Sequence, residues 1–410
     1  MRTHTSISRL IVCSMFFGLP LALTLGGCGG HGRYTTEGIS LAKTRLDALK
    51  AATEYDMGMQ AFLAGDLDKA ARKVDQAERL TPDNAKLAVL RGRIAIERGL
   101  MGEALLALRK AAELNESEIE AHYYLGVVAE RLNERETALE HFSRAAELEP
   151  YNPQHAVAAG EMLVDLGRPD DARTFLRSTE SAEHSAGVQQ LLGHIAMIEE
   201  DPERACDLFN RARLLAPEDA AILTDLVIAQ MDSQRFGDAL TNLDHLLKEP
   251  GNRDRRDLLH LKAECMLSLG RPVDAREIYR KLSAGEGASD ARAWAGLART
   301  AYQIRDEKSF SRAASRVLAV DPTFGEGYIL HAAMQRDMGN HAKALEILDT
   351  GLMRAGRNAD LLAMRSLVLT ELDRRDEALI AAHAALDIDP ANRAGLRMLD
   401  RLAVVSVPVD

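Results

Sequence analysis

A small residue returns along this chain at a nearly fixed step. Gly58, Gly92, Gly126, Gly160, Gly193, Val227, Ala263, Ala298, Ala332 and Ser366 stand 33 to 36 residues apart. Twelve residues after each lies a second register: Ala70, Ala104, Ala138, Ala172, Ala205, Ala239, Ala275, Phe310, Ala344 and Ala378. Around these small positions the neighbours are large, as with Leu125, Leu132, Leu139 and Phe142 in the third unit. A period of this length, held from the first unit to the tenth, means one supersecondary piece built over and over. Each copy is too small to bury its apolar face alone and must stack on the next.

The content of one unit follows from its punctuation. Between the two registers sit turn-forming stretches such as Ala64-Gly65-Asp66, Leu166-Gly167-Arg168 and Met338-Gly339-Asn340. Many units close on a proline, as in Thr81-Pro82, Glu149-Pro150, Ala216-Pro217, Asp321-Pro322 and Asp389-Pro390. Proline cannot continue a helix, so it ends one piece and opens the next. Each unit therefore reads helix, short turn, helix, break. Helix axes approach to about 8–10 Å only where the contacting side chains are small. The expectation is that Gly or Ala of the first helix faces Ala of the second, with Leu and Phe filling the flanks.

This pattern resembles the tetratricopeptide repeat family over residues 51–390. The third unit carries it most fully, through Tyr124, Leu125, Gly126, Ala129, Ala138, Phe142, Ala145 and Pro150. The eighth supplies the opening aromatic as Trp294, but places Phe310 and Ala314 at the usual Ala and aromatic sites. The resemblance implies an all-α, right-handed superhelical solenoid of about ten helix-turn-helix units. Residues 391–410 would form a capping helix and tail. The first helix of each hairpin would line an inner groove for protein or peptide partners. Helical spacing then puts Tyr55, Met59, Phe62, Arg93, Ile96, Tyr123, Val127, His194, His260, Arg299 and Tyr302 on that wall. Its N-terminal part is apolar, which suits a helix or extended peptide. A competing expectation is that a lead helix from about Ile39 to Lys50 packs on Tyr55 and Phe62 and fills the groove end. The Lys and Asn pairs with which chaperone-binding members hold a peptide carboxylate are not in this sequence.

The first 27 residues read as a targeting segment. Arg2 and Arg9 precede an apolar stretch, Leu10 to Leu25, that is short for a membrane span of about 20 residues. Leu25-Gly26-Gly27-Cys28 resembles the lipobox of bacterial lipoprotein signal peptides, which implies lipidation of Cys28. Gly29 after it leans toward the outer membrane. Residues 28–50 are expected to be a flexible tether and the lead helix. A formal charge of −11 argues against nucleic acid as the main partner. Cys206 and Cys265 have no ligand spacing about them, so no metal or haem is expected. No GxSxG, HExxH or P-loop occurs, and the repeats leave no second domain for chemistry. The expectation is therefore a non-enzymatic scaffold without a cofactor or small-molecule substrate. It would be lipid-anchored on the periplasmic side of a bacterial envelope and would assist a secretion or pilus machine. An accessory role in exopolysaccharide export is the alternative.

Overall fold

In the computed structural model, residues 33–404 are described, so Cys28 and the leader lie outside the described residues. All elements among them are helical, and the chain divides into two compact units, residues 1–121 and 122–410. Unit 1 holds α1 (Arg33–Leu63), α2 (Leu67–Glu78), α3 (Ala85–Glu97) and α4 (Met101–Leu114); α5 (Ile119–Arg131) carries the boundary. Unit 2 continues with α6 (Arg135–Leu148), α7 (Pro153–Asp165), α8 (Pro169–Ser178), α9 (Ala186–Ile198) and α10 (Pro202–Leu215). Then come α11 (Ala220–Asp232), α12 (Phe236–Leu246), α13 (Arg256–Ser268), α14 (Pro272–Leu282) and α15 (Ala291–Gln303). The remainder are α16 (Glu307–Val320), α17 (Gly325–Asp337), α18 (His341–Ala355), α19 (Ala359–Glu371), α20 (Arg375–Leu386) and α21 (Arg393–Val404).

Odd and even helices pair into ten hairpins, and within each unit every hairpin stacks on its successor. Successive odd helices also touch, as α7 does α9, and α15 does α17, whereas no even helix packs comparably on the next even one. The odd helices therefore form the inner wall of each row. The breaks supply caps for them. Asn84, Asn152, Asp219, Asp290 and Asn358 each accept a hydrogen bond from a first-turn backbone N–H. Helix α21 covers the last hairpin through buried Met398 and Leu402.

The seam differs in one detail from the sequence expectation. The glycine of the first helix meets the large residue four positions past the second-helix Ala, rather than that Ala. A Cβ on Gly92 would lie 2.5 Å from Leu108, on Gly126 2.6 Å from Phe142, and on Gly193 2.5 Å from Phe209. The glycine is the hole and Leu or Phe is the knob, while the register alanines, fully buried, let the backbones close. In the eighth unit Gly296, two residues before Ala298, lies against Tyr279, where a Cβ would come within 2.3 Å of the ring. Phe310 and Ala314 both remain buried despite their exchange of places.

Every hairpin turns through a residue in the left-handed conformation. Five are glycines (65, 99, 167, 270 and 339), and five are Asn133, Glu200, Gln234, Arg305 and Asp373, with φ between 57° and 62°. These ten positions repeat with the same steps as the glycine register. For a residue with a Cβ this geometry costs about 1–2 kcal/mol. Glu200→Gly and Arg305→Gly are expected to stabilise the fold by about 0.5–1 kcal/mol each, after the entropy of glycine in the unfolded chain is subtracted. Gly99→Ala should lower stability by a similar amount. Urea midpoints of the three variants check this.

Two further expectations meet the structure here. The lead segment is no separate helix folded into the groove, because it is the first half of α1 and runs straight into the first hairpin. Cys206 and Cys265 are buried free thiols, and burial pushes Cys265 up to about 11, so both are core residues.

Candidate partner-binding face

In unit 1, α1 and α3 present Tyr55, Met59, Phe62 and Arg93 together. Phe62 and Met59 pack partly against the core of the first hairpin, and the Arg93 guanidinium sits 4.9 Å from the Phe62 ring centroid. The Arg93 Nη1 lies 3.9 Å from a Glu120 carboxylate oxygen. Tyr55 is half-buried, and its phenol is pushed up chiefly by that burial and next by the Glu120 carboxylate. Ile96 is only 4% exposed, so this expected wall residue belongs to the core. The reason is that α3 is packed on more than one side: Ile94, Ala95 and Ile96 are all buried although they span about 200° of the helix. What remains accessible is a partly apolar patch with a cation over one ring.

In unit 2 the inner wall is polar and already paired. Tyr123 is half-buried against Phe142 (5.6 Å) and His155 (5.1 Å), and Val127 packs beside it. His194 is exposed, with Nε2 3.2 Å from an Asp225 oxygen, and Gln190 donates to the same oxygen at 2.7 Å. Burial raises the Asp225 carboxyl, but the bonds from His194 and Gln190 outweigh it and hold the group below its ordinary range. His260 is 5% exposed and bonded to Asp290 at 2.9 Å, so it too leaves the wall for the interior. Arg299 bridges two carboxylates, Glu264 at 3.3 Å and Glu326 at 3.2 Å. Burial raises the Glu326 carboxyl, and Arg299 counters it. Tyr302 donates to Asp337.

Sequence reasoning missed these pairings, although a signal exists. Gln190 and Asp225, Arg299 and Glu264, and Tyr302 and Asp337 are each separated by 35 residues. One period plus one residue joins equivalent faces of neighbouring odd helices, so opposite polar groups at that spacing mark inter-repeat ties. Such ties hold the wall in one shape and lower its appetite for a charged ligand. Further along, Arg393 of α21 donates to the Asp232 carbonyl at 3.4 Å, bringing the end of the array back to the sixth hairpin. Between them lies a cleft of about 1220 Å³ with Met197, Met231, Phe236 and Leu396 among its lining residues.

Residues 55–119, 119–152 and 224–289 match the tetratricopeptide repeat family. These segments, less than half of the chain, are similar to tetratricopeptide repeats. A curated relative, the BBSome complex member BBS4 of Bos taurus, is 24% identical over 230 residues, which is 55% of this chain and 43% of that protein. The chain thus spans less than half the length of the curated relative it matches. Among solved structures, a tetratricopeptide repeat protein from Parabacteroides merdae aligns at 17% identity with a TM-score of 0.43, covering 58% of this chain and 93% of that one. PilF of Pseudomonas aeruginosa aligns at 18% identity and 0.40, covering 61% and 97%. Among the described residues, no three His, Cys, Asp or Glu side chains group so as to hold a metal ion, and no helix is long and apolar enough to cross a membrane.

Proposed function

We propose that this chain is a non-enzymatic scaffold that captures protein partners on the inner wall of its repeats. The observation that carries this is the unit 1 patch. Tyr55, Met59 and Phe62 stay partly accessible as one apolar patch, bordered by Arg93, which stacks on Phe62 and lies near Glu120. An apolar patch of this kind suits the apolar face of an amphipathic segment. We place the protein at a bacterial envelope, tethered on the periplasmic side through Cys28, more in keeping with the outer membrane than the inner. There it would assist assembly of a secretion or pilus machine. This placement is supported by the resemblance of the leader to a lipoprotein signal.

The double variant Met59→Glu with Arg93→Glu is expected to weaken partner capture from detergent-solubilised native membranes by about tenfold or more. Met59 packs partly on the first hairpin and Arg93 stacks on Phe62, so some loss of stability is expected, and capture is compared at a temperature below the variant's own unfolding midpoint. Equal recovery of the same partners by the variant would refute the proposed face.

A further inference from the structure

The inner wall of unit 2 pairs its charges unevenly. Helical spacing sets the residues one, four and five places past each repeat glycine, or its counterpart, toward the groove. On α13, α15, α17 and α19 the charged ones are Glu264, Arg299, Arg336, Asp337 and Glu371, and each of them sits in an ion pair. On α5, α7 and α9 they are Glu130, Arg131, Glu161 and Asp165, one cation against three acids. All three acids are exposed, and none forms an ion pair or a side-chain hydrogen bond among the described residues. They also crowd one another. The Glu161 carboxyl is pushed up by the desolvation of its seat and next by the charges of Glu130 and Asp165, with His194 countering. Between the acids the same wall is apolar: Val127, Val164 and Met197 are half-buried, and Ile198 is 55% exposed. Tyr123 against His155 joins α5 to α7, and Val164 and Met197 pack on the core that α7 shares with α9, so the three helices form one surface.

We infer that the wall of α5, α7 and α9 docks a basic amphipathic helix of a partner protein. Its Lys or Arg side chains would meet Glu130, Glu161 and Asp165, and its apolar face would cover Val164, Met197 and Ile198. Charge complementarity selects this occupant. An acidic segment would be repelled, and an uncharged apolar one would bury three crowded carboxylates with no cation to offset them. Packed helices lie about 8–10 Å apart, and seven residues of helix advance about 10.5 Å. Basic residues seven apart on the partner would therefore reach acids on successive odd helices. Arg393 and Arg397 border the cleft beyond Met197 and mark where the acidic stretch ends. The inference rests on the scaffold reading only in taking a protein as partner, and it concerns a different face from the patch of unit 1.

The test uses the chain from residue 29 onward, which retains every described helix. Its probe is a fluorescein-labelled helical peptide of about 14 residues, built of Leu and Ala with Lys seven residues apart. The control peptide carries Glu in place of Lys. Fluorescence anisotropy should show binding of the Lys peptide and none of the Glu peptide. Glu130→Gln with Glu161→Gln and Asp165→Asn should weaken binding about tenfold, as three exposed pairs are lost. The melting curve of this variant should match or exceed wild type, because neutralising the acids relieves their repulsion. Glu136→Gln with Glu140→Gln and Glu203→Gln removes the same charge from exposed positions on even helices and should leave the affinity in place. So should Met59→Glu with Arg93→Glu, which separates this wall from the unit 1 face. Absence of binding, equal binding of the two peptides, or equal weakening by the even-helix variant would overturn the inference.

Discussion

Phe142→Ala is expected to destabilise unit 2 by about 3–5 kcal/mol, the largest effect of any single side-chain truncation in the third hairpin. The ring is 1% exposed and packs on Ala129, Ala138, Ala159 and Met162, from both helices of its own hairpin and from α7 of the next. Deleting it leaves a cavity whose walls are alanines held by their own helices, and they have little freedom to collapse inward. Because Gly126 is the hole for this knob, the two positions should couple. Gly126→Leu alone would drive its Cβ to 2.6 Å from the ring and should cost about 1–3 kcal/mol. In the Phe142→Ala background the same leucine fills space, so the double variant should be at least about 1 kcal/mol more stable than the sum of the single effects. Urea denaturation of the four proteins completes the cycle. Strict additivity would show that the two residues do not share a seam.

A second large effect is expected where the repeat spacing stretches, between the seventh and eighth hairpins. Asp290 closes this junction with three bonds. It accepts from the Ala293 N–H at 3.0 Å as the cap of α15, from His260 at 2.9 Å, and from Arg256. Asp290→Ala removes the cap and leaves His260, buried in α13, without its partner. The two losses together should cost about 2–4 kcal/mol. Asp290→Asn keeps the cap and should cost less. The carboxyl also predicts an acid limb. Burial raises it, but the bonds from His260, Ala293 and Arg256 prevail and hold it below its ordinary value. A carboxylate lowered in the folded state contributes stability that is complete above the unfolded value of about 3.9 and is lost as pH falls through the folded one. The stability of Asp290→Asn should therefore fall less steeply than wild type below about pH 4, as read from urea midpoints across that range.

The fold was legible in the sequence because its determinants are local and repeated. A glycine at one step, an alanine twelve residues on and a proline at the break each act through backbone geometry, so ten copies reinforce one reading. The left-handed turn shows where this ends. Glycine announces it at 65, 99 and 167, but Glu200, Gln234 and Arg305 adopt the same conformation without a compositional sign. The binding face was harder to read. Which residues of an odd helix face outward depends on small rotations of one hairpin against the next, enough to bury Ile96 and His260 while leaving Met59 and His194 accessible. The polar ties at 35-residue spacing are visible only once equivalent faces are known to touch.

The claim on which the functional reading rests is that partners meet the inner wall of unit 1. A photo-cross-linking amino acid placed at Met59, with a control at Leu106 on α4, 71% exposed, tests it directly in native membranes. The account predicts an adduct with a distinct protein from position 59 and none from position 106. The same adduct from both positions, or adducts from position 106 alone, would contradict it.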